Sequence, residues 1–540
     1  MSKKKQKTLW AFDAETDPFV YGEPPKPFAW CAISEFGDRV LYWGDDSTQK
    51  FIDFLEGQEN ALFIGHNAGK FDTLFLKDAI AGAMLMVDGR ILKCNVKKGV
   101  EIRDSFAILP MALAKIKTKD GNKKEIDYKK MTRDRREIYR KEITEYLVQD
   151  CVTLLSAVQD FYARAGKRRL TIASQASTEL RSIYPDLPKL DDFHHAEFSQ
   201  FFFGGRVQCF QKGIIHGKFN LYDVNSMYPA VMANEYHPYG TSYKIKDYTL
   251  DQIPQNNCGF FIGHADTNGC FPVRQKDGST PYIIGQNTHI KITLHELRAA
   301  LDTGQAANFV GKILIPEYTT KFDKFILPHF ESRKIAKACG DEGGDLYHKL
   351  IPNSSYGRFA MSPEGRKETY YAEKGEEFVH CTINQCKCGG WHIGDVDLEA
   401  ERFIYEKRVS RPWAFYEDVA TGASITGAAR ARLMRGLHSA VNPLYCDTDS
   451  IMCETFGGKV GSELGEWKHE LAFDTAAIAG KKLYTLISNK RPVKSASKGV
   501  RACPTEIYMA ADGEEVDIFN AAPTMRLNGT KFQSRRIRRT

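Results

Sequence analysis

The sequence predicts a multidomain protein of mixed α/β and α+β class. Its 540 residues exceed the usual length of one domain. Short apolar runs that end in closely spaced acids are typical of strands, and other segments carry apolar residues at helical spacing. The composition, 42% hydrophobic and 26% charged, is that of a globular protein. Because no apolar run approaches the roughly 18 residues of a membrane span, we expect no membrane association.

The first acidic strand lies near the N-terminus. The apolar residues 11 and 12 lead into Asp13-Ala14-Glu15, whose acids at i and i+2 project from one face of a strand. Further on, a helical period over residues 143–154 carries Asp150, with Tyr146 one turn before it. Taken alone, an Asp-x-Glu pair is more often a solvated strand end than a site.

The most informative segment is Tyr-Cys-Asp-Thr-Asp-Ser at residues 445–450. Asp447 and Asp449 stand one residue apart between apolar runs, and Asp and Ser favour turns, so the pattern predicts a hairpin. Paired carboxylates on a rigid hairpin can bind two Mg²⁺ ions about 3.5–4 Å apart, an arrangement suited to phosphoryl transfer. The alternative is an acidic surface turn.

A third acidic strand is predicted around residue 221. The alternation of Phe219 and Leu221 indicates a strand that ends at Asp223, a further carboxylate for the metal pair. Ser226 precedes a short helical pattern, residues 229–232, so its turn can present backbone N–H groups to a triphosphate. Tyr228 is expected to pack beside the sugar.

Two helical patterns, residues 318–339 and 347–359, are separated by a predicted break at residues 340–344. Arg333 and Lys337 lie one turn apart on the first helix, where they can hold triphosphate oxygens.

The second pattern places Lys349, Asn353 and Tyr356 on one helical face, which offers a cation, an amide and a ring to a nucleotide. Pro352 lacks an N–H group and is expected to kink this helix.

In this order and spacing, residues 222–229, 349–357 and 445–450 resemble motifs A, B and C of family B DNA polymerases. Asp13-Ala14-Glu15, residues 67–72 and residues 146–150 resemble the three motifs of that family's proofreading exonuclease. The resemblance implies an RNase H-like exonuclease domain and a right-hand polymerase domain with palm, fingers and thumb. It also implies a DNA-templated DNA polymerase with 3′–5′ exonuclease activity.

The resemblance and the residue patterns together give the expected site residues. Catalytic roles are expected for Asp223, Asp447, Asp449, Asp13, Glu15, Asp72, Asp150, Tyr146 and Lys123. Two Mg²⁺ or Mn²⁺ ions per active site are expected on Asp223, Val224 and Asp449, and on Asp13, Glu15 and Asp150. Nucleotide contacts are expected from Ser226, Met227, Tyr228, Arg333, Lys337, Lys349, Asn353 and Tyr356. DNA contacts are expected from Asn67, Phe71, Ser105, Phe106, Gly204, Gly205, Thr448, Lys482 and Tyr484.

Other matches resemble the protein-primed branch of the family. Phe202-Phe203-Gly204-Gly205 is similar to its Tyr-x-Gly-Gly element, and Lys482-Leu483-Tyr484 to its Lys-x-Tyr element. The long intervals 229–349 and 357–445 are similar to its two insertions. The implied partners are template and primer DNA, dNTPs, a terminal (priming) protein and a single-stranded-DNA-binding protein. The alternatives are a family B polymerase that uses a nucleic-acid primer and an inactive DNA-binding scaffold.

The resulting domain prediction follows the motifs. It assigns the exonuclease to residues 1–165, linker and palm to 166–239, a first insertion to 240–320, fingers to 321–359, a second insertion to 360–404, palm to 405–500 and thumb to 501–540.

The cysteines and the N-terminus bear on location. Thirteen cysteines without a regular framework predict a reducing cytoplasm, that of the host for a viral protein. The basic residues 1–7 lack an apolar signal region, and a solvated arm is expected there. Cys381, Cys386 and Cys388, flanked by His380 and His392, lack the repeated C-x2-C spacing of convincing zinc sites, and a hairpin tip is favoured over zinc.

Overall fold

A computed structural model describes residues 6–361, 366–383, 386, 388–409 and 417–540. The first five residues of the predicted solvated arm lie outside these ranges. None of the helices in the described ranges has the length and apolar composition needed to cross a membrane.

The N-terminal sheet combines parallel and antiparallel strands. The elements of this part of the chain, strands and helices together, are β1 (Thr8–Thr16), β2 (Pro27–Ser34), β3 (Arg39–Trp43), α1 (Ser47–Gly57), β4 (Ala61–Gly65), β5 (Met84–Val87), β6 (Arg90–Lys97), β7 (Val100–Asp104) and α2 (Arg140–Ala165). β4 pairs in parallel with β1 and β7, whereas β1 pairs antiparallel with β2. The apolar side chains of β1 and β2 pack against α1 on one face, where Trp30 stacks on Phe51, and against α2 on the other.

The chain then enters a second sheet, the central sheet. The elements of this part are α3 (Ile172–Ile183), α4 (Asp192–Phe198), β8 (Val207–Cys209), β9 (Gly213–Val224) and α5 (Met227–Asn234). The strand predicted to deliver Asp223 is therefore confirmed as β9. The short predicted helix is confirmed as α5, which begins two residues earlier than the pattern.

The first predicted insertion forms an antiparallel sheet in the order β11-β14-β12-β13. Its elements are β10 (His237–Pro238), β11 (Tyr243–Asp247), β12 (Phe260–Pro272), β13 (Tyr282–Thr293), α6 (Leu294–Asp302), β14 (Ala306–Pro316) and β15 (Thr319–Thr320). β10 and β15 pair and close the segment at its base. Apolar side chains of β12 and β13 form a core with α6.

Two packed helices follow, α7 (Asp323–Ala338) and α8 (Glu342–Ser355). The predicted break at residues 340–344 was too long. The Asp341 carboxylate accepts a hydrogen bond from the Gly344 N–H at 2.9 Å and caps α8, which therefore contains Gly343 and Gly344. α8 also continues through Pro352, where the sequence predicted a kink.

The second predicted insertion extends the N-terminal sheet. Its strands are β16 (Arg366–Tyr371), β17 (Trp391–Asp397) and β18 (Arg402–Val409), and β16 pairs antiparallel with β5. The full order is β17-β18-β16-β5-β6-β7-β4-β1-β2-β3. The predicted boundary between residues 404 and 405 was wrong, because it falls inside β18, whose pairing with β16 runs on to Val409.

The remaining elements complete the central sheet and add a C-terminal segment. They are α9 (Val419–His438), β19 (Ala440–Val441), β20 (Tyr445–Asp447), β21 (Ser450–Cys453), β22 (Thr455–Phe456), β23 (Trp467–Gly480), β24 (Leu483–Ser488), β25 (Arg491–Ser497), α10 (Pro504–Asp512), β26 (Val516–Phe519), β27 (Thr524–Arg526), β28 (Gly529–Lys531) and β29 (Ser534–Ile537). The central sheet has the order β25-β24-β23-β9-β21-β20-β8. The predicted hairpin at residues 445–450 is confirmed, because β20 and β21 pair tightly around Thr448-Asp449.

Candidate active sites

The central acidic site consists of Asp223, Asp447 and Asp449. β9 and β21 are neighbours, with Asp223 opposite Ser450, so Asp223 lies beside the β20–β21 turn. The Val224 N–H donates to the Asp449 carbonyl at 2.8 Å, which fixes the turn against the end of β9. Thr448 has a left-handed backbone, φ +60°, so Asp449 lies in the turn and not on the strand that carries Asp447.

When no cation is present, the carboxylates of Asp223 and Asp449 have a higher pKa than ordinary aspartates. Burial raises the pKa of Asp223 to about 7, and the charges of Asp449 and Glu470 add to this effect. Burial likewise raises the pKa of Asp449 to about 6, with a further contribution from Asp447. A bound cation would stabilise the negative charges of the Asp223 and Asp449 carboxylates, so this site favours cation binding.

Asp447 has a different environment, because it is bound to a lysine. Lys482 Nζ contacts the two Asp447 carboxylate oxygens at 2.6 and 2.5 Å. The Lys482 N–H donates to the Tyr445 hydroxyl at 3.0 Å, and that hydroxyl donates to Asp447 at 3.3 Å. Tyr484 packs beside Tyr445, with ring centroids 5.2 Å apart. The β20 strand and the β23–β24 turn are thus joined through Asp447.

The expected nucleotide-binding residues separate into two groups. Tyr228 and Tyr356 stack directly, with centroids 4.0 Å apart and an angle of 15° between the rings. The expected phosphate-side residues Ser226, Arg333, Lys349 and Asn353 line one small cavity between α5, α7 and α8.

Several of these side chains already have partners. Arg333 donates to Asp345 at 2.7 Å, and the Asn353 amide donates to the Lys349 carbonyl at 2.7 Å. Lys337 is not among the residues that line the cavity. The Met227 side chain is buried in the core, so only its backbone can face a nucleotide.

The Gly204-Gly205 pair lies directly beside the central acidic site. A Cβ atom on Gly205 would come within 2.6 Å of the Thr448 hydroxyl oxygen, so this position requires glycine for close approach. Arg430 of α9 donates to the carbonyls of Phe203 and Gly204 at 2.5 and 3.1 Å, and its guanidinium pairs with Glu296 of α6 at 2.7 Å. No local pattern in the sequence predicts this buried pair.

The N-terminal acidic site consists of Asp13, Glu15, Asp72 and Asp150, at one end of a cavity of about 950 Å³. Carboxylate oxygens of Asp13, Glu15 and Asp150 lie within 4.8 Å of one another. Burial raises the pKa of Glu15 to about 8 and that of Asp72 to about 7. Burial and the charges of Asp72, Asp150 and Glu15 hold the pKa of Asp13 well above its usual range.

A lysine also enters this site. Lys123 Nζ is paired with Asp150 and lies 4.5 Å from the centroid of the Tyr146 ring. Burial opposes the lysine charge, but Asp150, Asp13 and Glu15 outweigh it and raise the Lys123 pKa. The Tyr146 hydroxyl lies 3.4 Å from that of Tyr128, a residue that the sequence analysis missed.

The expected DNA-binding residues of the N-terminal half are grouped by Arg90 and Asp104, which sequence reasoning also missed. Arg90 pairs with Asp104, donates to the Asn67 side chain at 2.9 Å and covers the Phe106 ring at 4.5 Å. Asn67 lines the cavity of the N-terminal acidic site.

Two further expected DNA contacts differ in their exposure. Phe71 lines the same cavity and contacts the ring of Phe19 edge to face. Ser105 is buried, with its hydroxyl 2.9 Å from a ring nitrogen of His66, so its side chain faces the protein interior.

Remote parts of the chain complete the wall of this cavity. Asp395, Ile404 and Glu406 of β17 and β18 contribute to it, as do residues 522–528 of the C-terminal segment. The Asn528 amide donates to Asp395 at 2.6 Å, and Lys77 joins Asp397 at 2.7 Å to the Leu527 carbonyl at 3.2 Å. Nothing local in the sequence indicates that these segments meet.

Comparisons with known proteins identify the class of protein. The chain belongs to the family B DNA polymerases: the profile described as DNA polymerase type B, organellar and viral, matches residues 115–406. It is a DNA-directed DNA polymerase, being 38% identical to the DNA-directed DNA polymerase of Enterobacteria phage PRD1, with 100% of this chain and 99% of that protein covered. A probable DNA polymerase of Podospora anserina is 24% identical, with 77% of this chain and 41% of that protein covered.

Solved structures agree on the fold. Phi29 DNA polymerase with primer-template DNA matches with a TM-score of 0.69 at 16% identity, covering 99% of this chain and 100% of that chain. Its complex with primer-template DNA and incoming nucleotides gives 0.68 at 17% identity, with the same coverage. The predicted fold class, an exonuclease domain and a right-hand polymerase domain, is confirmed.

Proposed function

We propose that this polymerase adds nucleotides at the central acidic site and removes mismatched 3′ ends at the N-terminal acidic site. The observation that carries the proposal is the presence of two separate carboxylate centres, each on its own sheet and each with its own lysine. In this proposal, β9, β20 and β21 belong to the palm. The helices α7 and α8 form the fingers, and the N-terminal sheet belongs to the exonuclease domain.

Both centres have donor sets that suit Mg²⁺ or Mn²⁺, and we propose two ions in each. At the N-terminal acidic site, no side chain in the described part of the chain satisfies the buried Asp150 Oδ1 by hydrogen-bond geometry, and the acids raise one another's pKa, both of which a divalent cation would relieve. Asp13, Glu15 and Asp150 would hold ions there, and Asp223, Asp449 and the Val224 backbone would hold them at the palm. When bound, such ions neutralise charge that develops on phosphate oxygens.

The side chains around the palm acids have distinct proposed roles. The Tyr228 ring, braced by Tyr356, excludes a ribose 2′-hydroxyl sterically. Arg333 and Lys349 bind triphosphate oxygens, and Lys482 anchors the primer terminus while it holds Asp447 away from the other two acids.

At the N-terminal acidic site, Tyr146 would orient the attacking water. Lys123 would stabilise the ionised form of Asp150 and the charge on the scissile phosphate. Asn67 and Phe71 on the cavity wall would hold the displaced 3′ end, since a ring and an amide can stack on and bond to unpaired bases.

A reciprocal pair of variants tests the two-centre proposal. Asp449→Asn should lower primer extension by about 10³-fold or more and leave degradation of a single-stranded 3′ end unchanged, because each reaction has its own ion pair. Asp13→Asn with Glu15→Gln should abolish degradation, keep extension of a matched primer and raise misincorporation. Extension by the Asp449→Asn protein at the normal rate would contradict the palm assignment.

We also propose that synthesis begins on a terminal protein bound at the two insertions, and that the enzyme works in the host cytoplasm with a single-stranded-DNA-binding protein. The first insertion exposes large apolar side chains on its sheet, with Ile284 73% and Val310 71% exposed. Exposed apolar side chains of this size are typical of protein interfaces.

The initiation test must preserve the fold of the insertion. Deleting residues 240–315 entirely would remove Glu296 and leave Arg430 as an unpaired buried charge, so point substitutions are preferable. Ile284→Glu with Val310→Glu should lower formation of the covalent product between terminal protein and labelled dNTP by about 10-fold. Short extension of a DNA primer should be unchanged.

The matched control is Val441→Glu, which places the same charge at an exposed apolar position outside residues 240–320 and 360–404. Equal initiation by the Ile284→Glu, Val310→Glu and control proteins would favour a nucleic-acid primer instead.

A further inference from the structure

The second insertion brings together three thiols and one imidazole, from Cys381, Cys386, Cys388 and His392. Sγ of Cys381, Sγ of Cys388 and a ring nitrogen of His392 lie within 4.8 Å of one another. Cys386 lies two residues before Cys388 and supplies a third thiol to the same segment. Three of the four potential ligands, Cys381, Cys388 and His392, therefore converge on one point, which the C-x4-C-x-C spacing alone did not indicate.

The distances match a tetrahedral metal site. Zinc bonds of about 2.3 Å to sulfur and about 2.0–2.1 Å to nitrogen place a sulfur and a nitrogen ligand about 3.6 Å apart at tetrahedral angles. Cys388 Sγ and His392 Nε2 are 3.6 Å apart. This separation lets one ion bind both atoms at those bond lengths.

The backbone around the cluster supports the ligand geometry. The Cys381 N–H donates to the Trp391 carbonyl at 2.8 Å, which holds the first cysteine beside the strand that carries His392. Gly389 has φ +71°, and the turn that it makes lets the Gly390 N–H approach Cys388 Sγ at 3.4 Å. Hydrogen bonds of this kind to a ligating sulfur stabilise thiolates in metal sites.

We propose that Cys381, Cys386, Cys388 and His392 bind one structural Zn²⁺ ion. Three thiolates and an imidazole form one of the usual ligand sets of structural zinc, and soft sulfur ligands disfavour Mg²⁺. The site is separate from both acidic centres. The proposal therefore does not depend on how either centre works.

The position of the cluster in the fold indicates a structural role for the ion. His392 lies on β17, and the same strand pair, β17 and β18, supplies Asp395, Ile404 and Glu406 to the wall of the N-terminal acidic site. A bound ion would cross-link Cys381, Cys386 and Cys388 to His392 of β17 and so stiffen this wall. Loss of the ion should loosen β17 without altering the acids themselves.

The test is the metal content of tag-free, full-length protein prepared with a reducing agent and then dialysed against zinc-free buffer. Elemental (inductively coupled plasma) mass spectrometry should find about one zinc ion per chain. The Cys388→Ser and His392→Asn variants should lose that ion. The matched control is Cys339→Ser, which removes an exposed cysteine elsewhere and should keep the zinc.

Cobalt substitution distinguishes this site from the carboxylate centres. Co²⁺ bound to thiolates gives a sulfur-to-metal charge-transfer band that carboxylate ligands cannot give. His392→Cys replaces the imidazole with a fourth thiolate, so it should retain zinc and strengthen this band. Retention of metal in this variant shows that metal loss in His392→Asn comes from the missing ligand and not from misfolding.

Two results would overturn the proposal. One is fully reduced protein that holds no more zinc than its Cys388→Ser variant. The other is a disulfide within this cluster in freshly reduced and dialysed protein.

Discussion

The two acidic centres of this polymerase use the same residue types in different arrangements. In the N-terminal acidic site, Glu15, Asp72 and Asp150 are buried, and the lysine is paired with Asp150, one of the proposed metal ligands. In the palm, Asp223, Asp447 and Asp449 are half-buried, and the lysine is paired with Asp447, which leaves Asp223 and Asp449 for metal. Under the proposed ligand assignment, one lysine is paired with a metal ligand and the other with an acid outside the ligand set.

This difference follows from the elements that carry the acids. The palm acids come from neighbouring antiparallel strands and the turn between two of them. In the N-terminal acidic site, Asp150 comes from α2, which packs across β1 and β2 and covers the acids of β1. Under the proposed function, the more buried site would take one frayed strand end, and the less buried site would take a template with its primer.

Among the variants that test this difference between the centres, the largest effect is expected from replacing each lysine with an uncharged side chain of similar length. Lys123→Met should lower 3′–5′ degradation by about 10²–10³-fold and spare extension, since the half-buried charge proposed to face the phosphate is lost. Lys482→Met should instead weaken extension and free Asp447. Single-turnover rates of both reactions measure this. If both variants lost both activities equally, the two lysines would not be specific to their sites.

A smaller effect concerns the choice of sugar, which only the palm must make. Tyr228→Val should raise ribonucleotide incorporation relative to dNTP incorporation by about 10–100-fold, because the ring that fills the space beside C2′ is removed. Tyr228→Phe keeps the ring and its contact with Tyr356, so it should keep discrimination. The ratio of kcat/KM for the two substrates decides between these outcomes, and an unchanged ratio in Tyr228→Val would move the steric barrier elsewhere.

The smallest expected effect is on stability without metal. Burial raises the pKa of Glu15 from 4.5 to about 8, whereas the palm acids reach about 7 and about 6. Between the ordinary and the raised pKa the folded protein binds more protons than the unfolded chain, so stability falls as pH rises. Between pH 7 and 8 the fall should come mainly from the N-terminal acidic site, with a slope of up to about 1.4 kcal/mol per pH unit for one proton.

Thermal or denaturant unfolding in EDTA measures this slope. Glu15→Gln should flatten it, and Mg²⁺ should reduce it in the original protein. A stability that rises between pH 7 and 8 in EDTA would contradict the mutual repulsion of these carboxylates.

Much of the palm could be predicted because its signals are local. The strand ending at Asp223 and the hairpin bearing Asp447 and Asp449 follow from alternation and turn residues within short segments. The errors also have local causes. The Asp341 cap accommodates two glycines that normally disfavour a helix, so α8 begins earlier than propensity suggests.

The sequence by itself determined the family, the strand ends that carry the acids and the two-helix unit of the fingers, since each depends on residues close in the chain. Only the tertiary structure decided that Lys482 binds Asp447, that Arg430 supports Gly204, and that β16 extends the N-terminal sheet through β5. These contacts join segments far apart in sequence. Local patterns specify which face of each segment is apolar, but the choice of partner depends on charge and shape complementarity in the folded chain.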